Sequence, residues 1–371
     1  MIREISFISL ILLGLTFSQM PSECLAEMSS DISQAQQNIC NLISAGQIDE
    51  AKSATDKMIS DFANNKDLPE AIYWTIRHCE WKDKFDEAKR LYQLLLQNYP
   101  DSSFTATANL GIARCEVMSL VLSEDFNNAK EKFNKLSSDF SGNPDLPESL
   151  YMIGERFEWH RQFENEKNIF QLIINNCSGS PFASKAQIGI ARANILSFIV
   201  AKDFVKFDKG LDKLFVNYAN NPDLAQSVII MGEWFYKDGL SEEKGGLANE
   251  AKGNFERAVK VWDRVINELP DSNLIPEACC WAGDCYNKLG KFEESLQRFQ
   301  KVADEHQTYM HAWHAQFMIG LTYQNMKNVG VLSESEADTK TRAAYQQVIA
   351  KWPSCNAANI AQTWLNEHNS K

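Results

Sequence analysis

A chain of 371 residues with 37 Lys and Arg against 49 Asp and Glu carries a formal net charge of -12, and its basic residues gather into no stripe interleaved with aromatics, so a nucleic-acid groove is disfavoured. With 44% hydrophobic and 11% aromatic residues it holds ample material for burial, which excludes a disordered polymer, and it is too long for one ordinary core. An acidic balance of this size favours solubility and says nothing of the fold.

The first residues read as an address. Met1 and Arg3 form a short n-region, and Ile5 to Phe17 is an uncharged apolar run of 13 residues. That is the length of a signal h-region and falls short of the about 20 residues that span a bilayer. Cys24-Leu25-Ala26 places a small residue before a cleavage after Ala26, with Thr16-Phe17-Ser18 as the rival. The expected organisation is a signal peptide over 1–26 and a mature chain over 27–371 with no transmembrane segment, exported to the periplasm or beyond. Lipidation at Cys24 is disfavoured, because Pro21-Ser22-Glu23 lacks the small residue that a lipobox needs.

Past the address, a register repeats. Phe62-Ala-Asn-Asn-Lys-Asp-Leu-Pro-Glu recurs as Phe140-Ser-Gly-Asn-Pro-Asp-Leu-Pro-Glu and as Tyr218-Ala-Asn-Asn-Pro-Asp-Leu, each 78 residues after the last. The same offset relates Glu80-Trp81 to Glu158-Trp159, Phe85 to Phe163, and Leu110-Gly-Ile-Ala-Arg114 to Ile188-Gly-Ile-Ala-Arg192. A fixed long period means stacked supersecondary units rather than a globule. Each period divides in two at stops such as Asn98-Tyr-Pro-Asp-Ser102 and Phe140-Ser-Gly-Asn-Pro144, where a helix cannot continue. Between stops, apolar residues such as Ala88, Leu91, Tyr92, Leu95 and Leu96 recur at helical spacing, and no run alternates as a strand does.

In chain order the predicted helical hairpins cover about 32–64, 65–101, 102–141, 142–179, 180–219, 220–271, 272–306 and 307–353, with a capping helix from Asn356 to His368. The third and fifth lack a clear turn glycine. The sixth and eighth carry polar insertions, Lys237 to Gly253 and Lys327 to Lys340, expected as surface loops at hairpin tips. The fold class is therefore all-α, a solenoid of about eight hairpins.

The residues that carry the pattern resemble tetratricopeptide repeats. The best match is Gly283, Tyr286, Ser295, Phe299 and Val302 around a Gly290-Lys291-Phe292 turn; Gly154, Phe157, Phe170 and Ile173, then Gly232, Phe235, Ala258, Trp262, Val265 and Pro270, then Gly320, Tyr323, Tyr345, Val348 and Pro353, follow the same frame. The string Tyr92-Gln-Leu-Leu-Leu-Gln-Asn-Tyr-Pro-Asp-Ser102 is similar to repeats of two exported bacterial families, the lipoprotein subunit of the outer-membrane barrel-assembly machinery and the periplasmic coordinator of cell division. The resemblance implies that the first helix of each hairpin lines a concave face. Mapped onto this sequence, that face carries Tyr73, Arg77, Glu80 and Trp81, then Tyr151, Glu155, Glu158 and Trp159, then Glu233 and Tyr236: an aromatic and acidic groove.

Chemistry is scarce. No nucleophile, acid-base or phosphate-loop motif is present, so no catalytic residue and no cofactor is expected. His311 and His314, with His306 nearby, are too few ligands for a metal site. Cys40, Cys79, Cys115, Cys177, Cys279, Cys280, Cys285 and Cys355 read as small buried hydrophobes, with Cys79 and Cys115 the pair best placed to bridge. The functional expectation is a non-catalytic adaptor of the cell envelope that holds a protein or peptide partner in its groove. The alternative is a binder of peptidoglycan or another envelope polymer through the groove aromatics.

Overall fold

A computed structural model describes residues 30–368; the signal-peptide reading of 1–26 lies outside them. Among the described residues there are seventeen α-helices and no strand. They are α1 (Ser30–Ser44), α2 (Ile48–Asp61), α3 (Leu68–Trp81), α4 (Phe85–Asn98), α5 (Ala108–Leu122), α6 (Phe126–Asp139), α7 (Leu146–Trp159), α8 (Phe163–Asn176), α9 (Pro181–Val200), α10 (Phe204–Asn217), α11 (Leu224–Lys244), α12 (Ala248–Glu268), α13 (Ile275–Lys288), α14 (Phe292–Glu305), α15 (Ala312–Asn328), α16 (Glu334–Lys351) and α17 (Asn356–His368). The eight expected hairpins are the eight consecutive helix pairs, and α17 follows as the expected last helix. The chain divides into two compact units, one ending at Ala193 and the other beginning at Asn194, with the boundary inside α9.

The 78-residue register is written into the helix starts. Asn65, Asn143 and Asn221 each accept, through Oδ1, the backbone N–H two residues on, at 2.9, 2.9 and 2.8 Å. These side-chain turns end the preceding loop and release the chain into α3, α7 and α11. Pro69 and Pro147 then sit in the first turn of α3 and α7, where a missing N–H costs nothing. Asp125 and Asp203, again 78 apart, cap α6 and α10 by accepting from Asn128 and Lys206.

Every hairpin turns on one residue of positive φ. In the first, sixth, seventh and eighth it is Gly46, Gly246, Gly290 or Gly330; in the others it is Asp83, Glu124, Arg161 or Lys202, at φ between 55 and 60°. The geometry is the same in both sets. The N–H of the residue after the turn residue reaches back five positions, as Gln162 does to Phe157 at 2.9 Å and Lys291 to Tyr286 at 2.9 Å. The hairpins without a turn glycine therefore adopt the glycine geometry at a backbone cost.

The two insertions are not loops. Residues Lys237 to Lys244 continue α11 and Ala248 to Gly253 begin α12, so that both helices reach 21 residues and only 245–247 turn. Likewise α15 runs to Asn328 and α16 starts at Glu334 behind a capping box at Ser333. Glu, Lys and Ala are strong helix formers, and the lengthened pair is tied along its flanks: Asn254 Nδ2 donates to Glu242 at 2.7 Å, and Phe255 packs on Gly239.

Close helix contact is made by aromatic rings lying on glycines. In the first unit the fully buried Phe170 of α8 lies between Gly154 of α7 and Gly189 of α9; a Cβ built on either glycine would run into its ring. Phe299 lies on Gly283 in the same way in the second unit, with its ring 2.8 Å from where a Cβ would stand. No described helix is long and apolar enough to cross a membrane.

Candidate functional site

The residues expected to line a groove divide by burial into two sets. Tyr73, Arg77 and Trp81 of α3, and Tyr151, Glu155 and Trp159 of α7, are partly exposed and stand at matching registers 78 apart. Tyr73 rests against Phe104 at 5.0 Å, and Tyr151 is stacked on Phe170 at 5.1 Å and beside Phe182 at 5.6 Å; Phe104 and Phe182 are themselves register equivalents. Trp81 is flanked by His78 at 5.2 Å and by Lys82 Nζ over its ring at 4.0 Å.

The second set is buried: Glu80 at 2% exposed, Glu158 at 1%, Glu233 at 2% and Tyr236 at 0%. These side chains line no open groove. Glu80 is held by Arg114 of the next hairpin, whose Nε and Nη2 donate to Oε1 at 3.0 and 2.6 Å. The same guanidinium donates to Tyr92 Oη at 2.9 Å and to Ser149 Oγ at 2.8 Å, so one arginine joins α3, α4, α5 and α7. Arg192 repeats the pairing, its Nε donating to Glu158 Oε2 at 2.6 Å. Two charges inside a helical stack are tolerated because each is paired and hydrogen-bonded. In the second unit Lys237 Nζ stands 3.7 Å from Glu233, and Tyr236 packs against Trp281 at 5.3 Å.

Arg114 and Arg192 were visible in the sequence only as part of a repeated string. The signal was a basic residue inside an apolar run, in constant register with a glutamate on the preceding hairpin.

The two copies differ around the shared pair. In the first, Arg77 Nη1 donates to Glu80 Oε2 at 3.2 Å and its Nη2 to Glu148 Oε1 at 2.7 Å. In the second, Glu155 stands where Arg77 stood, and Glu166 stands at the register of Ala88. Glu166 is fully buried, its Oε1 is 3.9 Å from Arg192 Nη2, and its carboxyl stands beside that of Glu158. Desolvation, and then the charge of Glu158, push its carboxyl well above the usual range. Desolvation likewise pushes Glu155 up to about 7 against the pull of Arg192.

His314 is buried 3.8 Å from Asp284, and burial lowers His311 to about 4. Among the described residues no three His, Cys, Asp or Glu side chains are grouped to hold a metal.

Residues 79–102 and 281–308 match the family model of the tetratricopeptide repeat. The hairpins are tetratricopeptide-like. No curated protein matches the chain. Among solved structures, the chain is similar to a tetratricopeptide repeat protein from Parabacteroides merdae, with 12% identity, 77% of this chain and 98% of that one covered, and a TM-score of 0.35. It is also similar to aspartyl phosphate phosphatase F from Bacillus subtilis, with 15% identity over 92% and 91% of the two chains at a TM-score of 0.32. The apo form of RapI gives 12% identity over 92% and 98% at 0.32. Where the family model covers 79–102, the matched tetratricopeptide-like segment runs from the buried Cys79 and Glu80 through the whole of α4.

Proposed function

We propose that the chain is a non-catalytic adaptor that holds a protein or peptide segment against the first helices of its hairpins. The reading is carried by the partly exposed row Tyr73, Arg77 and Trp81 on α3, repeated as Tyr151, Glu155 and Trp159 on α7. Rings backed by other rings keep their shape when a partner arrives, so they offer contact area at low entropic cost. The charges between them supply direction. A solenoid of this kind offers extended surface without chemistry.

The proposed setting is outside the cytoplasm, from the charged start and apolar run at Met1 to Phe17. Cell fractionation and N-terminal sequencing test it: mature protein starting at Glu27 in the envelope fraction is expected, and an intact Met1 in the cytosol overturns it.

For the adaptor reading, a photo-crosslinking amino acid at Tyr73 or Tyr151 is expected to trap a discrete protein partner that the same group placed at the exposed Lys130 does not. Equal trapping at all three overturns it. Retention on purified peptidoglycan, lost with Trp81→Ala and Trp159→Ala, favours the polymer reading instead.

A further inference from the structure

The molecule contains an internal comparison. In the first copy of the double repeat the buried Glu80 meets two guanidinium groups, Arg114 from within and Arg77 from the partly exposed face of its own helix. In the second copy the inner arginine persists as Arg192, and the outer one is replaced by Glu155. Three carboxyl groups, Glu155 and Glu158 of α7 and Glu166 of α8, then surround one guanidinium. Lys185 of α9 is the next cation, with its Nζ 5.5 Å from the centre of the Phe182 ring. Glu166 faces this cluster fully buried, with its carboxyl beside that of Glu158, so the second copy sets three carboxyls about one buried guanidinium where the first sets two guanidinium groups on one buried carboxylate.

We propose that the Tyr151–Glu155 face of α7 is a seat for a guanidinium or ammonium group of the bound chain, which brings to the buried Glu158–Arg192 pair the second positive charge that Arg77 brings to Glu80 in the first copy. The proposal rests on the adaptor reading and specifies its ligand as a basic peptide. Glu155 is the partly exposed carboxyl that the cation meets first, and Tyr151 flanks it with a ring stacked on Phe170. A ring beside a carboxylate suits a guanidinium, which pairs at its edge and stacks on its face. An empty seat is satisfied by protons, in keeping with the raised carboxyls of Glu155 and Glu166. A cation that enters releases them, so binding strengthens as pH rises through about 7.

The probe is a fluorescein-labelled, capped tri-arginine peptide, with its tri-citrulline analogue as the neutral isostere, read by anisotropy on the full mature chain. Saturable binding is expected, at least about tenfold tighter than to the citrulline peptide and tighter at pH 8 than at pH 6. Glu155→Arg restores the first-copy residue and is expected to abolish binding while the melting temperature holds or rises. Glu305→Arg, with the same charge change on an exposed carboxylate, is expected to bind as the wild type does. Absence of saturable binding, equal affinity for the two peptides, or loss with Glu305→Arg as large as with Glu155→Arg overturns the proposal. Should Glu155→Arg fail to fold, Glu155→Gln decides: unchanged affinity overturns the seat. If the peptide fails yet a partner still crosslinks at Tyr73 or Tyr151, the seat falls and the adaptor reading stands.

Discussion

At the scale of the residue, buried ion pairs dominate. Glu158 and Arg192 are each 1% exposed and 2.6 Å apart. Glu158→Gln removes the carboxylate that faces a buried guanidinium, and a loss of about 3 kcal/mol is expected by urea unfolding. A loss under about 1 kcal/mol would place the pair in a wetter setting than its burial states. The raised carboxyls act in the opposite sense to acid denaturation. Glu155 and Glu277, both desolvated and both at about 7 against an ordinary 4.5, bind a proton more tightly folded than unfolded. The stability they contribute is complete below about pH 4.5 and is lost as pH rises through about 7. His78 and His311, held at about 4 by burial against an ordinary 6.5, contribute stability above pH 6.5 that is lost as pH falls toward 4. The double variant Glu155→Gln, Glu277→Gln is therefore expected to lose less melting temperature than the wild type between pH 5 and pH 8. Parallel curves would contradict the assignment.

At the scale of the element, the hairpin is a turn residue plus a ring-on-glycine contact. Gly154→Leu puts a side chain into the Phe170 ring, which Gly189 already closes from the other side. Overpacking of about 1 to 3 kcal/mol is expected, read as a lower urea midpoint with unchanged helicity. The turn offers the converse change. Lys202 holds φ 55° and is exposed, so Lys202→Gly relieves a left-handed strain of about 1 to 2 kcal/mol and adds about 0.5 to 1 of chain entropy. A small net gain in melting temperature is expected; a clear loss would show that the lysine side chain works at the turn.

At the scale of the whole molecule, the cysteines report on both packing and export. The eight within the described residues are free, and six of them are buried, Cys79 and Cys115 included. Burial pushes the Cys40 thiol up to about 12 and those of Cys79 and Cys115 further, so none of these three is an activated nucleophile. Thiol titration of the mature chain is expected to count eight in denaturant and few within minutes in buffer; fewer than seven in denaturant would reveal a disulfide.

The sequence by itself determined the hairpins, because Asn-x-Asp-Leu starts, proline stops and a 78-residue register are local and periodic. It also fixed Gly154 and Gly283 as close-contact points, since small residues facing rings recur in one frame. It misjudged 237–253 and 327–340, where polar composition suggests loop but helix propensity and flanking hydrogen bonds extend the helices. Only the tertiary structure decided which charges face outward. Glu80, Glu155 and Glu158 look alike along a helix. What buries Glu80 and Glu158 and leaves Glu155 partly open is an arginine 34 residues away on the next hairpin, and helical periodicity carries no information about a partner contributed by another helix.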